Sequence, residues 1–269
     1  MEYSIAKPSV LLSKFIKHYW AIENCFPGFV QHTQRIVPNG LPELIFYLGD
    51  RPVATDTARS INENALVSGH MRGFYDINVS GKLSVFSILF KPQGLRMFFD
   101  IPLNELYNHH VPLRYLFKHD AVELESKLFE AGSFSERIKI IENYLLKILK
   151  KSAAKYEYKR IDHCVNLINQ KRAVVHVDFL ASEACLSRKQ FERTFLYYVG
   201  TSPKQFLKTI RFQSSIDKKS RNKSANLTDL TYSCGYYDQS HMINDFQKLT
   251  GMTPKQYFNE CEPYSDYFQ

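Results

Sequence analysis

The pattern of apolar and polar positions changes character along the chain, and the changes divide it. From Val10 to Ile22 apolar residues fall near helical spacing (Leu11, Leu12, Phe15, Ile16, Tyr19, Trp20), which predicts a helix. Short runs with strand character follow, broken by Pro and Gly: Arg35–Val37, Leu44–Leu48, and Leu83–Phe90 after the turn Ser80-Gly81-Lys82. Several short strands with turns between them predict a small sheet or barrel. Residues 51–64 are polar and read as a loop. From about Pro102 to Lys151 the pattern turns helical. Pro102 suits a helix start, and Ser133 with Glu136 matches a capping box. The last helix of this set, about Ser135 to Lys150, carries Ile138, Ile141, Leu145, Ile148 and Leu149 on one stripe. The stripe either packs on its own domain or makes a dimer contact, and the pattern weighs the two equally.

Residues 150–159, KKSAAKYEYK, are charged and poor in large aliphatics, and form the best candidate for a domain boundary. The expected division is 1–152 and 153–269. Beyond it the chain reads as all helical to about Glu260, with Pro203 and Pro254 at first-turn positions.

This second part contains a repeat. Residues 190–207 read QFERTFLYYVGTSPKQFL, and residues 241–258 read HMINDFQKLTGMTPKQYF, at a constant offset of 51. Phe195 maps to Phe246, Gly200 to Gly251, Ser202 to Thr253, and Pro203-Lys204-Gln205 to Pro254-Lys255-Gln256. A fixed-offset match of this kind implies two similar supersecondary units. In the first, Asp178 is a candidate N-cap for a short helix and Ser187 caps a second. Phe191 and Phe195 lie on one inward face, leaving Arg188, Lys189, Glu192 and Arg193 outward. Gly200 suits the C-cap, and Ser202-Pro203 starts the next helix. In the second unit Leu227 opens a helix, Gly235 marks the turn and Asp238 caps the following helix. There Met242 and Phe246 point inward, leaving Gln239, Ser240, His241 and Asn244 as short polar groups able to read base edges. Two short helices, a tight turn and an exposed polar second helix make a helix-turn-helix. A long helix from Pro203 to about Lys219 would hold the two reading helices about 34 Å apart, one turn of DNA.

The residues that carry a family likeness are Leu230-Thr231-Tyr232-Ser233-Cys234-Gly235-Tyr236-Tyr237-Asp238-Gln239-Ser240-His241-Met242, and Thr250-Gly251-Met252-Thr253-Pro254-Lys255-Gln256-Tyr257. With the first unit, the region from about Tyr158 to Glu260 resembles the AraC/XylS family of transcription regulators. The resemblance implies that the second helix of each unit enters a major groove. The matching base-facing positions are Lys189, Glu192 and Arg193, then Gln239, Ser240, His241 and Asn244, with Arg188, Lys204 and Lys255 as phosphate contacts. The chain departs from the family at Cys185, where a turn glycine is common, at Thr231, where a small alanine is usual, and at Asn244, where arginine is frequent. Glu192 sets a negative charge near DNA, either to accept from cytosine N4 or to pair with a neighbouring arginine.

Charge agrees with this picture. The formal net charge is +8, and Ser187–Lys255 holds twelve Lys and Arg against five acids. An anionic partner, nucleic acid or a membrane surface, is favoured. The five cysteines (25, 164, 185, 234, 261) have neither metal-site nor CxxC spacing, as expected of reduced thiols in a cytosolic protein. Cys185 and Cys234 read as small buried packing residues rather than redox sensors. The opening residues lack a leader pattern, and no apolar run reaches the length of a membrane span, so a cytoplasmic protein is expected. Adjacent His109 and His110 do not face one direction, which argues against a metal site. No metal or cofactor is expected.

In the N-terminal region, Pro38-Asn39-Gly40-Leu41-Pro42-Glu43 before Leu44–Leu48, with Ser68-Gly69-His70 and Phe90-Lys91-Pro92-Gln93-Gly94, resembles the sensor domains of a subset of the same family. The expected fold class is therefore α+β: an N-terminal β-barrel or cupin-like domain with trailing helices, then an all-α domain of two helix-turn-helix units joined by a long helix. Glu43 and His70 are candidate lining residues of an effector pocket, set against the plainer reading that they are structural. The partners implied are double-stranded DNA, a small-molecule effector, RNA polymerase and a second copy in a homodimer. Two rival readings of the N-terminal part are a pure dimerisation module and an enzyme. For the latter, Cys25 is the only cysteine available, and no Cys-His or paired-carboxylate motif stands out before Lys150.

Overall fold

The computed structural model describes residues 2–26, 32–55, 61–117, 120–149 and 156–260. Among the described residues nine strands come first: β1 (Glu2–Ala6), β2 (Ile16–Phe26), β3 (His32–Ile36), β4 (Glu43–Tyr47), β5 (Val53–Ala54), β6 (Ala65–Ser68), β7 (Tyr75–Val79), β8 (Gly81–Phe90) and β9 (His110–Pro112). They form a six-stranded sheet in the order β1-β2-β8-β4-β6-β9 and a three-stranded sheet in the order β3-β7-β5. Every pairing is antiparallel.

The larger sheet is covered on both faces. Tyr19, Ala21, Leu44, Phe46, Val67, Phe86 and Ile88 pack into a core shared with the helices. Trp20, Ile22, Ile45, Tyr47, Leu66 and Val85 alternate with them and pack toward Ala54 and Ile77 of the smaller sheet. Two expected non-strand stretches hold short strands, β5 within 51–64 and β9 within 102–151, and double burial explains a third departure. The stretch from Val10 to Ile22 is a 3-10 turn at Leu12–Lys14 followed by β2, not a helix. Tyr19 to Ile22 are all buried, so the alternation that marks a half-buried strand is absent.

Two further 3-10 turns, Gly94–Met97 and Leu103–Leu106, follow β8, the latter directly after Pro102, and then come β9, α1 (Arg114–Phe117), α2 (Asp120–Glu130) and α3 (Phe134–Leu149). In the stripe on α3, Ile141 and Leu145 are fully buried, and Ile138, Ile148 and Leu149 pack partly buried on the same core. The stripe therefore seals its own domain. Ser133 Oγ accepts the backbone N–H of Glu136 at 3.2 Å, while the Glu136 carboxylate accepts from Gly132 N rather than from Ser133, so the capping box is displaced by one residue.

The remaining chain is helical: α4 (Tyr156–Gln170), α5 (Val177–Glu183), α6 (Arg188–Val199), α7 (Pro203–Arg221), α8 (Leu227–Ser233), α9 (Gln239–Thr250) and α10 (Pro254–Glu260). Phe191, Phe195, Tyr198 and Phe206 belong to the core that continues into the β domain. A second core gathers Phe212, Ile216, Leu230, Met242, Phe246, Leu249 and Tyr257, and takes in Val37 from the β domain. Among the described residues no helix is long and apolar enough to cross a membrane. Of the expected boundary segment 150–159, residues 150–155, with the division at 152/153, lie outside the described residues, and Tyr156–Lys159 are not linker but the first turn of α4.

Candidate nucleic-acid interface

The two repeated segments fold as two similar units, and local sequence explains each. In the first, α5 ends at Glu183 and the chain turns through Cys185, whose φ of 51° is left-handed. That backbone position is the one where a glycine would be expected. Cys185 is exposed, which corrects the expectation of a buried packing residue; Cys234 is buried as expected. Ser187 then caps α6 in a reciprocal box with Gln190, and Gly200 closes the helix at φ 89°. Asp178 does not cap α5. The N-cap is His176, without a side-chain bond, and Asp178 lies in the first turn, where it faces Arg188.

In the second unit Asn226 caps α8, Gly235 turns the chain at φ 78°, Asp238 caps α9 through the His241 N–H at 2.7 Å, and Gly251 closes α9 at φ 75°. Ser202 caps α7 and Pro203 occupies its first turn. The 19 residues of α7 make a rod of about 28 Å between the units.

Each second helix buries one face and exposes the other. On α6, Phe191, Phe195, Tyr198 and Val199 are buried, while Arg188, Lys189, Glu192 and Arg193 are exposed. Arg188 is held at 3.0 Å by Asp178 and at 3.2 Å by Glu192. The pair with Glu192 removes much of the negative charge the sequence placed there. The pair with Asp178 ties Arg188 across α5 and α6, so Lys189 and Arg193 are the cations left unpaired on this face among the described residues.

On α9, Met242, Asp245, Phe246 and Leu249 are buried, and Gln239, Ser240 and Asn244 are exposed, joined by Gln247 and Lys248. Gln239 donates to Thr228 Oγ1 at 2.8 Å, which fixes it at the helix start. His241 is only half-exposed. Its ring stands edge-on to Tyr236 at 5.3 Å, its Nδ1 accepts from Tyr237 N at 3.4 Å, and its Nε2 lies 3.6 Å from Asp245. Of the four polar positions expected on this helix it is the one drawn toward its own domain. Lys204 and Lys255 are exposed, each directly after the proline that opens α7 or α10.

Sequence reasoning missed how the β domain reaches both units. The two repeat-related C-cap glycines, Gly200 and Gly251, abut it. A Cβ on Gly200 would stand 2.8 Å from the carbonyl oxygen of Leu103, and one on Gly251 would stand 2.7 Å from the Phe74 ring. Arg35 of β3, bidentate to Asp76 at 2.8 Å, donates to the carbonyl of Thr250 at 3.0 Å and stacks on Phe74 at 4.3 Å. A guanidinium at that carbonyl also complements the negative end of α9. At the other unit Arg96 donates to the Tyr197 hydroxyl and to the carbonyl of Phe99. Both α6 and α9 are thus gripped at their C-terminal ends by the β domain.

Glu43 and His70 are buried in separate surroundings. Glu43 Oε1 accepts from Trp20 Nε1 at 2.7 Å and Ser87 Oγ at 2.5 Å, on the sheet face toward the smaller sheet. Burial raises its carboxyl to about 7, against the lowering effect of those two bonds. His70 meets Phe206 of α7 edge-on at 5.8 Å, and burial pushes it down to about 3, so it is neutral. The Cys25 side chain lies outside the described residues.

Comparisons with known proteins match two separate stretches of the chain. Residues 4–112 match a family described as a domain of unknown function (DUF6597), and residues 180–260 match one described as a helix-turn-helix domain. An uncharacterized HTH-type transcriptional regulator of Haemophilus influenzae is 28% identical over 93 residues, 35% of this chain and 31% of the relative. The HTH-type transcriptional regulator ArgR of Pseudomonas aeruginosa is 26% identical over 83 residues, 31% of this chain and 25% of the relative. The match thus spans about a third or less of either relative. A crystal structure of ToxT from Vibrio cholerae O395 overlays 90% of this chain and 97% of its own, at 11% identity and a TM-score of 0.48.

Proposed function

We propose that this chain, whose C-terminal region is an AraC-type helix-turn-helix domain, is a sequence-specific DNA-binding transcription regulator. The observation that carries the reading is the pair of repeat-related helices, α6 and α9, each capped and exposed at its N-terminal half and fixed at its C-terminal end. Helices of this kind enter major grooves with their N-terminal residues on base edges.

In this reading Lys189 and Arg193 read bases from the first unit, and Gln239, Ser240 and Asn244 from the second. Glu192 acts through its pair with Arg188, and His241 contributes after a modest rotation away from Asp245. Lys204 and Lys255 neutralise phosphates, and Arg188 joins them where DNA displaces Asp178. Residues 1–152 form the sensing or dimerising part and 153–269 the DNA-binding part. The regulator acts in the cytoplasm, without catalysis of its own, on double-stranded DNA and with RNA polymerase as its functional target. A second copy would bind through a surface other than the α3 stripe, which is spent on the core.

A gel-shift comparison on specific and scrambled duplexes tests the assignment. Arg193→Ala should cost about 1–3 kcal/mol on the specific site and little on the scrambled one, if it reads a guanine. Lys255→Ala should weaken both about equally. Unchanged affinity and preference in both variants would remove the assigned roles.

A further inference from the structure

The two units carry different chemistry at one shared position. Helices α6 and α9 are each twelve residues long, and each closes on a left-handed glycine. Ser187 accepts the backbone N–H of Gln190, and Asp238 that of His241, in both cases the third residue of the helix. Phe191 and Phe195 are buried on α6, and Met242 and Phe246 are buried at the same two places on α9. With caps and inward faces matched, a residue of α6 and its counterpart 51 positions later leave their units in the same direction. The sixth residue of each helix is exposed: Arg193 on α6 and Asn244 on α9.

The neighbours sharpen this contrast. Arg188 engages both nearby carboxylates, Asp178 at 3.0 Å and Glu192 at 3.2 Å, so the donors of Arg193 stay available. Lys189, exposed one turn earlier, is another group that only donates. On α9 the positions from Gln239 to Asn244 include neither Lys nor Arg. The Gln239 amide donates one N–H to Thr228 Oγ1 at 2.8 Å, which leaves its Oε1 and second N–H unengaged. Asn244 likewise offers an acceptor beside a donor. Base edges sort these groups. In the major groove guanine presents two acceptors, O6 and N7, which suit a donor-only side chain. Adenine presents an acceptor, N7, beside the N6 donor, which suits an amide.

We propose that the recognised duplex is unlike in its two halves. Arg193, with Lys189, selects guanine in the groove that α6 enters. Asn244, with Gln239, selects adenine at the equivalent place in the groove that α9 enters. Duplicated units alone would suggest two like half-sites, and the exchange of Arg for Asn makes them unlike. This inference rests on the DNA-binding reading and adds the bases to it.

Selection by the full chain from randomised duplexes, long enough to span two major grooves on one face, tests the proposal. The wild type should enrich two blocks with centres about 10–10.5 base pairs apart, one with a fixed guanine and one with a fixed adenine. Asn244→Arg should replace that adenine by guanine and leave the other block unchanged. Arg193→Asn should replace the guanine by adenine in its own block. Both side chains are exposed, and an unchanged far-UV spectrum checks the fold of each variant. In competitive gel shifts each variant should prefer its own selected duplex over that of the wild type by about tenfold or more. Guanine fixed in both wild-type blocks, no adenine in either, or a selected base that stays the same in either variant would each overturn the proposal. A wild type that retains no duplex from the library would instead strike the DNA-binding reading itself.

Discussion

Replacing Glu43 by Gln should turn a pH-dependent cost into a constant one. In the fold the carboxyl sits at about 7, against its ordinary 4.5, because burial opposes the charge more than Trp20 and Ser87 favour it. A carboxyl raised by folding stabilises the protein fully only while it is protonated in both states, below about pH 4.5. Stability then falls as pH climbs from 4.5 to about 7 and stays reduced above. Each pKa unit is about 1.4 kcal/mol, so the full loss is about 3 kcal/mol. The amide of Gln can still accept from Trp20 and Ser87 but does not ionise. Urea unfolding of wild type and Glu43→Gln should be compared at pH 5 and pH 8. The difference between them should shift by about 2–3 kcal/mol in favour of the variant on going to pH 8. The comparison cancels other titrations, notably His18 and His70, which burial pushes down to about 4 and about 3 and whose contributions are lost on acidification below about 6.5. A difference that stays flat between the two pH values would refute the account of Glu43 as a buried carboxyl held by the sheet.

Two further substitutions test particular contacts. Arg35→Ala removes the Thr250 contact, the Asp76 pair and the stacking on Phe74, and should cost about 2 kcal/mol in urea unfolding, with faster hydrogen exchange at Leu249–Gly251; unchanged exchange there would mean that the β domain does not hold α9. Cys185→Gly relieves a left-handed backbone at an exposed side chain and should raise stability by about 0.5–1 kcal/mol, whereas a loss would show that the thiol contributes packing the structure does not display.

What the sequence made legible was what local chemistry decides. Ser187 with Gln190, Asp238, Ser202-Pro203 and the glycines at 200, 235 and 251 each dictate a cap or a turn, so both helix-turn-helix units could be drawn in advance. The substitution of Cys185 for the usual turn glycine did not alter the turn, because the backbone accepts the strain. Long-range burial was less legible. Tyr19 to Ile22 lie in a strand covered on both sides, and a continuous apolar run carries no period. Asp178 and Ser187 are equally plausible caps by composition, yet only the second takes that role, since α5 begins at Val177 and places Asp178 inside its first turn. Arg35 and Phe74 gave no signal at all, for a lone arginine in a strand and a lone phenylalanine just before one look ordinary until the end of α9 arrives beside them. The acid that draws His241 inward, Asp245, lies one turn later on the same helix, but nothing in the spacing tells whether such a neighbour is buried.

Cleavage directed from α6 and α9 measures whether the two helices occupy successive major grooves. With the native cysteines replaced, an iron chelate on Lys189→Cys or on Ser240→Cys should cut bound DNA at two patches whose centres lie about 10–10.5 base pairs apart on one face of the duplex. Cleavage from only one position, or from both without a fixed separation, would contradict the account.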